Sequence, residues 1–89
     1  MKKGEKMDKV LVKLYVPMIE KTYDVWLPVN KKIYHVISLL TKAINELNNG
    51  NYAPSKMPML YDKLTAERYQ LDVSIKETNI RNGTEIILI

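Results

Sequence analysis

The end of the chain is the segment that most constrains its fold. Residues 79–89 read as a short loop, an Asn-Gly turn at 82–83 and a strand that runs to the last residue. Asparagine and glycine are the residues that best tolerate positive φ in a tight turn. Because strand side chains alternate, Ile86 and Leu88 lie on one face, and the isoleucines that follow each of them lie on the other. Both faces are apolar, which predicts a central, well-covered strand whose terminus packs into the core.

The composition allows one small domain and excludes several kinds of chemistry. The chain has 89 residues, the size of a single domain. It contains no cysteine, so disulfides, thiolate nucleophiles and zinc-thiolate sites are excluded. No apolar run approaches the roughly 20 residues of a membrane-spanning helix, and we expect no direct membrane insertion. Residues 1–8 are predicted to form a flexible N-terminal tail, because they lack the apolar segment of a signal peptide.

Two alternating segments near the start of the domain predict a β-hairpin. Residues 10–16 carry valine or leucine at every second position, and we place that wholly aliphatic face inward. Residues 22–27 alternate in the same way, with their tyrosine, valine and leucine facing inward. Pro28 ends this strand because it has no backbone N–H to donate. The short connection at residues 17–21 indicates that the two strands pair with each other.

The helix is the clearest element in the sequence. Asn30 is a candidate N-cap, and the asparagine-rich stretch around Gly50 is a strong stop signal because glycine accepts left-handed φ. Between these signals, apolar residues recur at the helical spacing that places them on one face. This apolar stripe consists of Ile33, Val36, Ile37, Leu40, Ala43, Ile44 and Leu47.

The remaining segments add short strands and turns. Residues 59–62 are predicted to form a strand, and a very short strand is predicted near residues 69–71. Residues 74–80 are rich in turn formers, with Ile75 and Ile80 as inward anchors. The order β-β-α-β-β-β predicts an α+β fold in which a mixed sheet of about four to five strands packs on one helix. The first and last strands are expected to be central and parallel, with the helix in the crossover between them.

With these elements in place, the sequence resembles the ubiquitin superfamily over residues 9–89, which implies the ubiquitin-like β-grasp fold. The segment at 74–80 looks like the Thr-Leu-Ser-Asp-Tyr-Asn-Ile segment before the last strand of ubiquitin. The segment at 79–86 is similar to the G-I-x-N-G-D-x-L ending of YukD/EsaB-like proteins, with asparagine and threonine in place of the glycine and the aspartate. Those are small ubiquitin-like proteins of bacterial type VII secretion systems.

The resemblance implies protein–protein contact rather than catalysis. It predicts a non-catalytic, cytoplasmic accessory component of a type VII secretion system that needs no cofactor. Its expected partners are proteins, with membrane secretion machinery among them. Conjugation and sulfur transfer by ubiquitin-like proteins require a flexible tail that ends in Gly-Gly. Because this sequence ends at Ile89 with no glycine after Gly83, we expect that it is not conjugated.

The residue types that carry catalysis or bind metals form no recognisable site. His35 is the only histidine, and without cysteine it has few partners for a catalytic triad. Asp24, Asp62 and Asp72 do not have the spacing of metal ligands. The glycines do not form a phosphate-binding loop. We therefore predict no catalytic residue, no cofactor-binding residue and no metal ligand.

The best functional clue is a set of apolar residues that the strand alternation turns away from the helix. A contiguous exposed apolar patch suggests a binding surface, and ubiquitin-like domains often bind through this face. The alternative is cross-strand packing within a self-contained sheet. The predicted protein-binding residues are Leu11, Tyr15, Trp26, Tyr61, Ile87 and Ile89 on this face, with Met18 and Ile19 beside it at the hairpin tip.

Two other kinds of partner stay open. The same apolar residues allow the chain to associate with itself as a homo-oligomer. The net charge of +4 leaves a small basic β-grasp module that binds nucleic acid as the alternative function. The lysines are interleaved with acidic residues along the chain, however, which is typical of a solvated surface and does not favour nucleic acid.

Overall fold

In a computed structural model that describes residues 8–89, a four-stranded sheet packs against one long helix. The strands and the helix are β1 (Lys9–Val16), β2 (Lys21–Pro28), α1 (Ile33–Leu47), β3 (Leu60–Asp62) and β4 (Glu85–Leu88). Single-turn 3-10 helices lie at Pro17–Ile19 and Ile75–Glu77. The predicted tail, residues 1–8, lies outside the described residues except for Asp8, whose carbonyl accepts a hydrogen bond from the Val29 N–H at 2.9 Å.

The sheet is mixed because β1 lies between an antiparallel and a parallel neighbour. The strand order is β2-β1-β4-β3. β1 pairs with β2 in the antiparallel direction along its whole length, and it pairs with β4 in the parallel direction. β4 in turn pairs with β3 in the antiparallel direction. A parallel pair needs a long crossover, and α1 lies within it. The prediction that the first and last strands are central and parallel is confirmed, as is the α+β plan of one helix on a mixed sheet.

The hydrophobic core lies between α1 and one face of the sheet. Leu14 of β1 and Ile86 of β4 are register partners, and both are fully buried. The side chains of α1 that face them are Ile33, Val36, Ile37, Leu40 and Ile44. Ala43 and Leu47 belong to the predicted stripe but are exposed, because Ala43 faces the groove beside the edge strand β2 and Leu47 lies in the last helical turn. Among residues 8–89, no helix combines the length and apolarity that crossing a bilayer requires.

α1 begins later than the sequence predicts. Lys32 is the N-cap residue and its side chain makes no capping hydrogen bond, so the prediction of Asn30 as the cap is wrong. The first two helical N–H groups donate instead to the carbonyls of Val73 (2.8 Å) and Leu71 (3.1 Å). Backbone from a distant loop therefore satisfies the donors that a side chain satisfies in most helices.

The strand predicted at residues 69–71 is not part of the described sheet. An isolated bridge joins Tyr61 to Arg68, and the Tyr69 N–H donates to the Leu60 carbonyl at 2.9 Å. The chain then leaves the edge of β3, because the carbonyl of Leu71 is used to cap α1. The prediction of Ile75 and Ile80 as inward anchors is confirmed, since both are buried.

The C-terminal end of α1 follows the predicted turn chemistry, and the Asn-Gly turn follows it at one of its two residues. The Gly50 N–H donates to the Asn45 carbonyl at 2.9 Å, and Asn49 and Gly50 take positive φ values of 55° and 82°. The asparagine-glycine stretch predicts this left-handed backbone conformation at the C-terminus of α1. In the Asn-Gly turn before β4, Gly83 takes a positive φ of 89°, whereas Asn82 does not.

Only one face of β4 is covered. Ile86 and Leu88 are buried under α1, but Ile87 is half-buried and the Ile89 side chain is 63% exposed. The expectation of a strand covered on both faces, with its terminus packed into the core, is therefore wrong. The backbone of Ile89 is nevertheless held in place, because it exchanges two hydrogen bonds with Met59 at 2.8 and 3.0 Å.

Neighbouring leucines on α1 offer a test of the helix orientation. Leu40 is 7% exposed and Leu39 is 53% exposed. Leu40→Ala should lower the free energy of unfolding by about 2–5 kcal/mol, because it leaves a cavity in the core. Leu39→Ala, the same change on the exposed side, should lower it by about 0.5 kcal/mol or less. Urea unfolding of both variants measures the difference, and equal losses would contradict the orientation of α1.

Candidate protein-binding face

The candidate site is the face of the sheet opposite α1, which we call the outer face. The β1–β2 register places Leu11 beside Trp26, and these side chains are 37% and 46% exposed. The β1–β4 and β4–β3 registers place Tyr15 beside Ile87 and Ile87 beside Tyr61, all three half-buried. The structure therefore brings together five of the predicted residues in two groups, the Leu11–Trp26 pair and the Tyr15–Ile87–Tyr61 row.

A row of charged residues separates these two groups. It runs across β2, β1 and β4 to the residue that follows β3, in the order Asp24, Lys13, Glu85 and Lys63, so the charges alternate in sign. Lys13 Nζ lies 3.2 Å from Asp24 Oδ1, and Lys63 Nζ lies 3.8 Å from Glu85 Oε1. The predicted apolar patch is therefore not continuous, because this charged row divides it.

The charged row is not evident from the sequence, although part of the signal is present. Lys13, Asp24 and Glu85 each occupy an outward position two residues from a predicted binding residue on the same strand. What the sequence does not show is that these positions lie at one level across the sheet. Because each lysine of the row lies beside a carboxylate, the outer face lacks, among the described residues, the continuous basic surface that nucleic acid requires.

Lys63 also connects the charged row to the Tyr15–Ile87–Tyr61 row. Its Nζ lies 5.7 Å from the centroid of the Tyr15 ring, within the range of a cation–π contact. The same ammonium group pairs with Glu85. Through one ammonium group these two contacts link Tyr15 of β1 with Glu85 of β4.

The residues predicted at the hairpin tip lie away from the outer face. Ile19 is half-buried and packs against the core, since the 3-10 turn Pro17–Ile19 directs it inward. Met18 is 61% exposed and lines an apolar groove of about 580 Å³ with Met57 and Ile89 at the end of the sheet. Met18 and Ile89 therefore line one groove at the end of the sheet.

The Asn-Gly turn shapes a hollow beside the Leu11–Trp26 pair. The Leu11 N–H donates to Asn82 Oδ1 and the Gly83 N–H donates to the Leu11 carbonyl, both at 2.8 Å. These two hydrogen bonds attach the Asn-Gly turn to β1 at the backbone of Leu11. A hollow of about 350 Å³ lies between Leu11, Trp26 and Gly83, and a Cβ at Gly83 would meet nothing within 4 Å.

A polar cluster surrounds Asp62, the residue of β3 that follows Tyr61 and points to the opposite face of the sheet. Asp62 is 7% exposed, and its carboxylate accepts hydrogen bonds from Asn79 Nδ2 (3.1 Å) and from the backbone N–H groups of Leu64 (2.8 Å) and Thr65 (3.2 Å). These donors, with Asn79 first, hold the pKa of Asp62 below its ordinary value of 3.8. The Tyr69 hydroxyl donates to Asn79 Oδ1 at 2.8 Å, and burial followed by the negative charge of Asp62 raises the pKa of Tyr69.

The residues considered for catalysis or metal binding are dispersed. His35 is exposed, with its ring centroid 4.6 Å from that of Tyr34. Asp24 belongs to the charged row, Asp62 to the polar cluster and Asp72 to an exposed turn. Within the described part of the chain, no three or more His, Cys, Asp or Glu side chains are grouped so that they could hold a metal ion.

Comparison with solved structures identifies the fold. A chain of the MycP5-free ESX-5 inner membrane complex has a TM-score of 0.75 and 17% identity, over 92% of this chain and 21% of that chain. The ubiquitin-like domain of the Mycobacterium tuberculosis type VII secretion system protein EccD1 has a TM-score of 0.72 and 12% identity, over 91% of this chain and 97% of that domain's chain. A chain of the toluene 4-monooxygenase HD complex has a TM-score of 0.71 and 16% identity, over 90% of this chain and 95% of that chain.

The fold is therefore ubiquitin-like, as the sequence predicts, and it resembles the ubiquitin-like domains of type VII secretion proteins. The chain spans about a fifth of the length of its match in the ESX-5 complex. No protein-family model and no curated protein sequence matches this chain. Because the same fold occurs in a secretion protein and in a monooxygenase complex, the fold alone leaves the function to the surface.

The polar cluster predicts how stability depends on pH. A carboxylate with a lowered pKa in the folded state contributes stability that is present above its unfolded pKa and is lost as the pH falls through the folded pKa. Asp62→Asn removes this contribution but keeps an oxygen that can accept from Leu64 and Thr65. The difference in unfolding free energy between the wild type and Asp62→Asn should be constant near neutral pH and should shrink below an ordinary aspartate pKa of 3.8.

Asn79→Ala provides the matched control, since it keeps the carboxylate and removes its first donor. In this variant the pKa of Asp62, measured by NMR titration of its carboxyl carbon, should rise towards 3.8. An unchanged pKa would contradict the assignment of Asn79 as the main cause of the shift.

Proposed function

We propose that this chain is a non-catalytic ubiquitin-like interaction domain that acts beside a bacterial type VII secretion system. The observation that carries the proposal is the outer face, where Leu11, Trp26, Tyr15, Ile87 and Tyr61 lie on the sheet layer that α1 does not cover. Aromatic residues are frequent among the residues that dominate binding energy, which makes such a face a suitable contact surface.

The choice of secretion machinery as the setting is supported by two independent likenesses. The sequence at 79–86 is similar to the ending of YukD/EsaB-like proteins. The fold is shared with EccD1, a type VII secretion system protein, and with a chain of an ESX-5 inner membrane complex. We therefore propose a YukD-like accessory component that works in the cytoplasm and contacts the membrane-embedded machinery. The absence of conjugation remains a prediction of the same proposal.

A non-catalytic role is supported by the residues that the sequence lacks and by the position of the one histidine. The chain contains no cysteine, and its single histidine is exposed beside Tyr34. Asp62 is used to hold the loop after β3, since its oxygens accept from Leu64 and Thr65. Contact between proteins is the role that fits these features together.

Substitutions on the outer face test the proposal. Trp26→Ser combined with Ile87→Thr removes one apolar residue from each side of the charged row, and threonine keeps the β-branching that suits a strand. A tagged wild-type chain, expressed in its own bacterium, should co-purify with type VII secretion proteins from the membrane fraction. The double variant should lose them while its thermal unfolding stays cooperative. Mass spectrometry of the recovered proteins measures this.

The matched control is Tyr34→Ala combined with Leu47→Ala, which removes exposed apolar side chains from α1. This control should keep every partner that the wild type recovers. A folded outer-face variant that still recovers the secretion proteins, or a wild type that recovers none of them, would contradict the proposed function.

A further inference from the structure

The charged row has an order that is complementary to itself. Across the sheet it reads negative, positive, negative, positive, from Asp24 through Lys13 and Glu85 to Lys63. With strands about 4.8 Å apart, the row is about 14 Å long. When such a row is reversed and laid on a second copy of itself, every charge meets the opposite sign.

We propose that the outer face binds a second copy of this chain about a two-fold axis that runs parallel to the strands, between β1 and β4. The inference rests on the proposed function in one respect, namely that the outer face is a binding surface, and it names the occupant of that surface. A rotation about this axis places Lys13 over Glu85 of the second copy and Asp24 over Lys63 of the second copy. The contact is isologous, as expected of a symmetric dimer.

The charge pattern selects this axis from the alternatives. An in-plane axis perpendicular to the strands would place each charged residue over its own counterpart, so that like charges would meet at every position of the row. Like charges brought together in an interface are strongly unfavourable, whereas complementary ones fix orientation and register. The axis parallel to the strands is therefore the arrangement that the row favours.

The apolar groups fit the same arrangement. Rotation about this axis keeps each apolar group at its own level, so Tyr15 lies over Ile87 of the second copy. Leu11 lies over Gly83 of the second copy, where the absence of a side chain leaves the hollow of about 350 Å³. Apolar side chains thus meet on the Tyr15 side of the charged row, and on its other side Leu11 meets the hollow at Gly83, which fits an interface with a specific register.

The charged row is suited to such an interface because each of its members already has a neighbour of opposite sign. The side chains of the Lys13–Asp24 pair are 58% and 65% exposed, and those of the Lys63–Glu85 pair are 48% and 44% exposed. A charge that loses water in an interface is tolerated only when it is paired. In the dimer each of these groups keeps its neighbour within the row and gains a second one across the interface.

Exchanging charges tests the proposal without disturbing the core. Lys13→Glu places two negative groups opposite each other at the axis, and Glu85→Lys places two positive groups there. Each single variant should therefore dimerise at least about tenfold more weakly than the wild type. When the two single variants are mixed, position 13 of one and position 85 of the other again carry opposite charges. The mixture should form a heterodimer although neither variant forms a homodimer of comparable affinity.

The variant that carries both exchanges, Lys13→Glu with Glu85→Lys, is the matched control for effects within one chain. Glu85→Lys alone leaves Asp24 with Lys13 as the attractive pair of neighbours in the row. The double exchange also leaves one attractive pair, between positions 13 and 85, so the electrostatics within each monomer are similarly impaired. Only the double exchange restores opposite charges across the dimer axis, and it should dimerise more tightly than either single variant.

Sedimentation of each protein, and of the mixture, over a concentration series up to about 1 mM measures these affinities, and thermal unfolding verifies that each variant is folded. The proposal is overturned if the wild type stays monomeric, if the single variants dimerise as tightly as the wild type, or if the mixture does not form a heterodimer. A monomeric wild type whose secretion partners still depend on Trp26 and Ile87 would reject the dimer and retain the proposed function. A dimer with the expected charge dependence that recovers no secretion protein would support the dimer and reject the proposed function.

Discussion

The parallel pairing of β1 with β4 is the interaction on which the rest of the structure depends. It brings Leu14 beside Ile86 in the centre of the sheet, where both side chains are fully buried under α1. A parallel pair cannot be closed by a tight turn, so the chain between the two strands must cross the sheet and carries α1 with it. The same register, through the alternation of strand side chains, places Lys13 and Glu85 side by side on the opposite face. The core and the outer face are thus two consequences of one pairing.

The elements with a strong local pattern could be predicted from the sequence, and those that depend on distant backbone could not. The apolar stripe identifies α1, and alternation identifies the strands that form the core. The start of α1 escapes prediction because the carbonyls of Leu71 and Val73 cap it in place of the side chain of Asn30. The same contact explains the strand wrongly predicted at residues 69–71, since a carbonyl that caps a helix is not available to a sheet.

The sequence predicts which residues of the candidate site point outward, but it does not predict how these residues lie relative to one another across the sheet. Alternation identifies Trp26 and Ile87 as outward residues, and both occupy the outer face. The level at which each residue lies across the sheet depends on the register of pairings between distant segments, and the charged row becomes visible only then. The placement of the hairpin tip escapes prediction for another reason: the Pro17–Ile19 turn directs Ile19 into the core and leaves Met18 exposed.

The central claim is that the outer face meets a second copy of the chain in one register. Isotope-filtered NMR on a mixture of carbon-13-labelled and unlabelled protein detects contacts between copies and excludes those within a chain. The account predicts nuclear Overhauser effects from the Tyr15 ring of one copy to the Ile87 methyl groups of the other. At a concentration where the protein is dimeric, their absence, or contacts confined to the exposed residues of α1, would contradict it.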